Sequence, residues 1–252
     1  MKYLKQKLNG LNKRIKCFPY GIFYIKNTGF LIPNTFWINW KPRKLFFLDR
    51  TNAGFIYEFT EICLNDCYRL NLLKGSLPDV HVIVDIGANQ GLFCMAARQK
   101  FANANLFAYE PNIALELYYF NNASLLNVNY YLEAVTKTDC KVDLSFGATD
   151  LHTTTKKSLE GSTIGTSLKK VVDRAGGKID ILKIDCEGAE WELFDDNEAW
   201  ENIRSVTMEY HLWAKPGSTH LSIKQIMENL NYKVIEQIIL AETFGLIIAI
   251  KK

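Results

Sequence analysis

From residue 80 onward the apolar positions of this chain follow two alternating periods. Short runs dense in Val, Ile and Leu give way to stretches whose apolar residues recur every three to four positions. The pattern predicts strands at 80–85, 105–109, 128–132, 179–185 and 205–210, and helices near 91–100, 113–125, 166–175, 189–195 and 222–230. Alternation of this kind reads as an α/β fold, a mostly parallel sheet with helices on both faces. Two further β-rich runs, 233–240 and 244–250, close the chain with a tight connection. A hairpin there makes one edge strand antiparallel.

The first 78 residues are patterned differently. Leu4, Leu8, Leu11 and Ile15 recur at helical spacing, with Lys2, Lys5, Lys7, Lys13, Arg14 and Lys16 off that stripe, so residues 2–16 read as a basic amphipathic helix. Such a helix can lie on an anionic membrane or a partner, or pack its stripe on its own body; the pattern leaves both open. Aromatic runs at 35–40 and 44–48, separated by Lys41-Pro42-Arg43, read as a β-hairpin, and 55–73 as a helix. The expected division is therefore an N-terminal arm, hairpin and helix over 1–78 and an α/β domain over 79–252. Between the third and fourth strands of that domain, the polar stretch 147–165, with His152, is long enough to serve as a substrate lid.

Composition adds bounds. With 252 residues, 48% hydrophobic and 23% charged, the chain suits one α/β domain plus an appendage. Its net charge of +3 hides an asymmetry. Residues 1–50 carry 11 of the 30 lysines and arginines but only one of the 27 acids, Asp49, so the body is mildly acidic and the arm strongly basic. No apolar run reaches membrane-spanning length and no signal-peptide pattern opens the chain, so the expected location is the cytoplasm, with peripheral membrane contact left open. Six scattered cysteines and four scattered histidines show neither paired-thiol nor zinc spacing, so no metal is expected.

The chemistry concentrates in two segments. Asp85-Ile86-Gly87-Ala88-Asn89-Gln90-Gly91 runs straight out of the first strand. Its glycines bring bare backbone close to a ligand, and the following helix aims its N-terminal N–H groups into the turn. A dinucleotide fingerprint needs a third glycine that is missing here, which disfavours an oxidoreductase. An acid beside the turn would repel pyrophosphate but suits a ligand carrying an ammonium and a sulfonium, which points to S-adenosylmethionine. Glu110, ending the second strand before Pro111 and Asn112, stands where a carboxylate can accept both ribose hydroxyls. The second segment is Asp180-Ile181-Leu182-Lys183-Ile184-Asp185-Cys186-Glu187-Gly188-Ala189-Glu190. Period-2 alternation puts Lys183 on the face of Asp185, and ligands bind beyond the carboxyl ends of strands, so Lys183, Asp185, Glu187, Glu209 and His211 are expected near one pocket rim; that Lys183 only neutralises a nearby carboxylate and that His211 is structural stay open as alternatives.

In their order, these segments, with Tyr109-Glu110-Pro111-Asn112 and Met208-Glu209-Tyr210-His211, resemble the FkbM-type methyltransferase family over roughly residues 80–250. The resemblance implies a class I methyltransferase, Rossmann-like sheet of seven strands, with S-adenosylmethionine as donor and typically a hydroxyl of a sugar, glycan or natural product as acceptor. It implies that Asp85 and the turn of Gly87, Ala88, Asn89 and Gly91 hold the methionine part, Glu110 with Pro111 and Asn112 the ribose, and Glu133, Ala134 and Val135 the adenine edge. Cys186 replaces a small aliphatic residue usual in the family, and methyl transfer needs no nucleophilic thiol. A hydroxyl acceptor calls for a base: His211 as a neutral imidazole, or Asp185, with Lys183 or Glu187 holding base or acceptor. Two alternatives stay open: a nucleic-acid methyltransferase using the basic arm, against which the acidic body argues, and a non-catalytic module that only binds the cofactor.

Overall fold

The computed structural model describes residues 11–22, 32–48, 53–146, 153–157 and 161–252. In chain order its elements are a short helix over 11–17 (α1), strands β1 (Thr35–Ile38) and β2 (Lys41–Lys44), helices α2 (Ala53–Phe59) and α3 (Leu70–Ser76), β3 (Val82–Ile86), α4 (Leu92–Lys100), β4 (Asn105–Tyr109), α5 (Glu116–Leu126), β5 (Val128–Tyr131), β6 (Glu133–Thr136), β7 (Cys140–Phe146), β8 (Thr153–Lys157), β9 (Thr163–Ser167), α6 (Leu168–Arg174), β10 (Ile181–Ile184), α7 (Glu190–Leu193), α8 (Asn197–Glu201), β11 (Ser205–His211), α9 (His220–Asn229), β12 (Tyr232–Ala241) and β13 (Phe244–Lys251).

Seven strands form the main sheet in the order β12-β13-β11-β10-β3-β4-β5. Pairing is parallel from β11 through β5, and antiparallel where β13 meets β11 and β12. The closing hairpin thus supplies the edge, as expected, and the strand that runs against the parallel body is β13, one in from that edge. After β3 the chain moves outward to β4 and β5, then returns to lay β10 and β11 on the other side of β3. This reversal opens a crevice at the carboxyl ends of β3 and β10, where open α/β sheets bind their ligands.

Period-2 alternation sends the two faces of the sheet into different apolar clusters. Ile83 and Ile181 join α4, α5 and the N-terminal segment. Val84, Ile86, Leu182 and Ile184 join the residues of α6, α8 and α9. Phe36, Phe47, Phe55 and Phe59 belong to the first cluster along with Phe93 and Met95, so residues on both sides of the expected 78/79 boundary share one core. Among the described residues no helix is long and apolar enough to cross a membrane.

Several local expectations needed correction. The hairpin turns at Asn39-Trp40, both at positive φ (49° and 64°), and Lys41–Lys44 is its second strand rather than its loop. Asn readily adopts that conformation, and Pro42 is tolerated because a two-stranded ribbon leaves its outer edge unpaired. The single helix expected over 55–73 is broken: α2 runs into a π-helical turn at Thr60–Leu64, the chain bends at Asp66 and Arg69 (both φ 55°), and α3 follows, its first N–H groups capped by the Asp66 carboxylate. The stretch read as a polar lid holds β8 and β9, which join β6 and β7 in a second sheet of order β6-β9-β7-β8. Threonines that read as loop residues are equally good strand formers, which hid these strands. His152, and residues 2–10 of the expected basic helix, lie outside the described residues.

Candidate active site

The glycine turn is held as much by the next strand as by its own sequence. Gly87 sits at φ 74°, and a Cβ there would stand 1.7 Å from the Asp185 carbonyl oxygen, so only glycine lets β3 and β10 close up. Asn89 takes the left-handed conformation at φ 48°, as its type allows. Gly91, at φ 87°, abuts the Tyr119 ring and starts α4. Gly87, Ala88, Asn89 and Gln90 of the turn and Glu110 line one cavity of about 370 Å³, together with Pro111, Asn112, Glu133, Ala134, Val135, Lys183, Asp185 and Glu187, whereas Gly91, expected to touch the ligand, faces Tyr119 and is not among the lining residues.

Sheet register sets Lys183 of β10 directly beside Asp85 of β3. Both are buried, and the ammonium lies 3.1 Å from Asp85 Oδ1 while donating to the Gly87 carbonyl at 2.7 Å. Burial works against the charge on Lys183, but Asp85 and Asp185 outweigh it and raise its pKa. The ammonium also stands 5.4 Å from the Tyr68 ring centroid and 5.9 Å from that of Phe93. Two expectations are corrected here. Lys183 lies beneath the turn, with its charge committed there, and Asp85 faces Lys183 and the Cys94 thiol rather than the cavity.

Glu110 is placed for a diol. Its Oε2 accepts from the Asn89 N–H (2.8 Å) and its Oε1 from the Asn112 N–H (2.9 Å), which fixes the carboxylate at the cavity wall and leaves lone pairs on both oxygens. The expected adenine edge, Glu133, Ala134 and Val135, is strand β6. The Glu133 carboxylate is engaged by Arg174 at 2.6 and 3.2 Å, and Arg174 in turn lies 4.5 Å over the Tyr131 ring, which stacks on Tyr109.

The opposite wall is crowded with acids. β11 carries Glu209 and His211 on one face, and Asp185 follows the neighbouring end of β10. His211 is buried. Its Nδ1 is 3.3 Å from Oε1 of the fully buried Glu190, and its Nε2 is 3.6 Å from Glu209 and 3.7 Å from Glu187. Burial alone would strip its proton, yet its hydrogen bond to Glu190, the nearby Glu209 carboxylate and the charge of Asp185 prevail and raise its pKa to about 11. The neutral imidazole expected from sequence is therefore an imidazolium at neutral pH. Burial and the nearby Asp185 carboxylate push Glu209 upward and Glu58 up to about 7. Burial, then Glu190, raises the Cys186 thiol well above its ordinary range, which suits a residue with no nucleophilic role.

Sequence reasoning missed several members of the site. Tyr68 donates to Asp185 Oδ2 at 2.8 Å across 117 residues of chain, and no local pattern marks it. Glu58 and Glu61 reach the cavity from α2 and the π-turn, a geometry often found at functional sites. Glu190 had a signal: it ends the second segment and stands at the start of the helix expected near 189–195, and a charged residue that becomes buried there needs a partner.

A family model described as "Methyltransferase FkbM domain" matches residues 85–234. Among curated proteins, "Methyltransferase sdnD" of Sordaria araneosa is 28% identical over 233 residues, covering 74% of this chain and 85% of its own length. "Methyltransferase 1" of Beauveria bassiana (strain ARSEF 2860) is 26% identical over 190 residues, covering 64% and 74%. Of solved structures, the magnesium protoporphyrin IX methyltransferase of Synechocystis PCC 6803 aligns with TM-score 0.46 at 9% identity, over 78% of this chain and 82% of its own.

Proposed function

The chain belongs to the FkbM methyltransferase family, and from that premise we propose that it methylates a hydroxyl of a sugar, glycan or natural-product acceptor, with S-adenosylmethionine as donor. The residues fit that donor. Among the described residues with charged side chains lining the cavity, Glu58, Glu61, Glu110, Glu133, Asp185, Glu187 and Glu209 are acidic and Lys183 is basic, so a ligand with a sulfonium and an ammonium relieves the excess. The turn from Gly87 through Ala88 and Asn89 to Gly91 would hold the methionine part, Glu110 with Pro111 and Asn112 the ribose, and Glu133, Ala134 and Val135 the adenine edge. Asp85 would act from behind, by fixing Lys183 under the turn. Bound there, S-adenosylmethionine would supply a methyl group activated by its sulfonium for transfer to the acceptor oxygen, with the sulfur keeping the electron pair of the broken C–S bond.

Orientation is the chain's main contribution, about 7–11 kcal/mol in favourable cases. A sugar hydroxyl must also lose its proton, and we assign its receipt to the Asp185 carboxylate, positioned by the Tyr68 hydroxyl. His211, carrying its own proton, holds Glu187 and Glu209 in place as a cation rather than acting as the base. The observation that carries this reading is the gathering of Asp185, Glu187 and Glu209 beside the Gly87 turn, where an acceptor would meet the methyl group. The same acids disfavour a nucleic-acid acceptor, whose phosphates they would repel. Leu11 and Ile15, exposed on α1 among Lys13, Arg14 and Lys16, support peripheral membrane contact as part of the proposal.

The test is a radiolabelled methyl-transfer assay over a panel of sugar and polyol hydroxyls. Expected are a product heavier by one methylene and a loss of about 10²–10⁴-fold in single-turnover rate for Asp185→Asn. Cofactor binding without product across the panel would favour the non-catalytic reading.

A further inference from the structure

Two acids that line the acceptor end of the cavity, Asp185 and Glu209, and the buried His211 next to them form a donor set of mixed chemistry. One oxygen of Asp185, one of Glu209 and a ring nitrogen of His211 all lie within 4.8 Å of one another. An ion held at about 2.0–2.6 Å from each of its ligands spans separations up to about twice that, so a single ion can reach all three. The arrangement is built by the sheet rather than by a flexible loop. Ile184 pairs with Met208, so Asp185 emerges beside Glu209, and Glu209 and His211 share a face of β11 two residues apart.

The imidazole carries the independent part of the argument. Its side chain is 96% buried, and the acids nearest its Nε2 stand at 3.6 and 3.7 Å, both beyond hydrogen-bond length. Nδ1 faces Oε1 of Glu190, whose side chain is wholly buried and which also accepts from the His211 N–H at 2.6 Å. Phe244 lies nearly parallel to the ring, with centroids 6.3 Å apart. A histidine fixed at Nδ1 by a buried carboxylate, with Nε2 turned toward further carboxylates, is how proteins orient a metal-bound imidazole.

We propose that Asp185, Glu209 and His211 form a binding site for a divalent cation of the Mg²⁺ or Mn²⁺ class, with Glu190 as the residue that positions His211. Two carboxylates in the set favour a hard ion, and the single imidazole favours Mn²⁺ over Mg²⁺. Loading displaces the proton of His211, so the cationic role given to the imidazolium above belongs to the ion-free chain and passes to the ion when it binds. The role of the ion rests on the hydroxyl-methylation reading: coordination of the acceptor oxygen makes its proton more acidic, and Asp185 keeps a second carboxylate oxygen to receive it.

The test starts from the full chain stripped with chelator, without cofactor or acceptor, titrated with Mn²⁺ and followed by the spin resonance of the free ion. Expected is one Mn²⁺ per chain, with affinity at least tenfold weaker in Glu209→Gln and His211→Ala and about 10–100-fold weaker in Glu190→Gln. Because His211→Ala could unfold the core, thermal melting gives a second readout: Mn²⁺ raises the melting temperature of the parent protein and leaves that of Glu209→Gln unmoved. No retention at millimolar Mn²⁺, or equal retention by the parent and all three variants, overturns the site. Full-rate methylation of a hydroxyl by chelated enzyme removes the ion from the reaction while the hydroxyl reading stands. Mn²⁺ bound through these residues, with no hydroxyl ever methylated, keeps the site and ends that reading.

Discussion

The two ends of the cavity handle charge in opposite ways. At the cofactor end the charged groups have partners within the fold: Asp85 has Lys183, Glu133 has Arg174, and Glu110 accepts two backbone N–H groups. At the acceptor end Asp185, Glu187 and Glu209 gather around one imidazolium, and Glu58 feels the charges of Asp185 and Glu209 with Lys183 to offset them. The difference separates two tasks. Partnered charges hold a shape, because each is satisfied only in one arrangement. Crowded carboxylates keep an appetite for a proton or a cation, and that appetite is available for chemistry.

The strongest challenge to this contrast is Lys183→Met. It leaves the Asp85 carboxylate buried without its partner, and the expected cost is about 3–5 kcal/mol in urea unfolding, whereas Glu187→Gln at the crowded end should cost far less. A loss below about 1 kcal/mol for Lys183→Met would mean that the pair does not hold the turn.

Gly87→Ala comes next. The added methyl meets the Asp185 carbonyl and forces β3 and β10 apart, for an expected loss of about 2–3 kcal/mol and a matching drop in calorimetric affinity for S-adenosylhomocysteine. Gly176→Ala, also at positive φ but with open space around it, is the comparison that isolates the contact from the backbone strain.

Glu110→Gln tests the cofactor end alone. Exchange of one carboxylate oxygen for an amide should weaken S-adenosylhomocysteine binding by about tenfold, close to 1.4 kcal/mol, and also lower thermal stability, because the amide NH2 faces a backbone N–H that the carboxylate accepted. Unchanged affinity would take the ribose away from this residue.

The smallest expected effect belongs to Glu58 and depends on pH. Its folded pKa, about 7, stands above the value of about 4.3 in an unfolded chain, so the folded state binds the proton more tightly. Its contribution is complete below about pH 4 and is lost as the pH rises through 7. Glu58→Gln should therefore gain on the parent protein by on the order of 1 kcal/mol between about pH 5 and pH 8, read from paired urea midpoints. Parallel pH profiles would show that the acceptor end is less crowded than its geometry implies.

The chain by itself determined the sheet that positions this site and the turn at its centre. Strands β3, β4, β5, β10 and β11 fall within three residues of their expected bounds, and Glu110 stands on the cavity wall where its distance from the glycine turn placed it. These are local matters: apolar period, glycine, and the spacing of an acid along one β-α-β unit. Tertiary structure alone decided that Asp85 turns away from the cavity toward Lys183, 98 residues on, that Tyr68 reaches Asp185, that polar threonine runs pair into a second sheet, and that His211 keeps its proton. The protonation of a buried side chain is set by the sum of the charges and hydrogen bonds that surround it in space. For His211 that sum comes from Asp185, Glu187, Glu190 and Glu209, which gather only when β10 and β11 lie side by side.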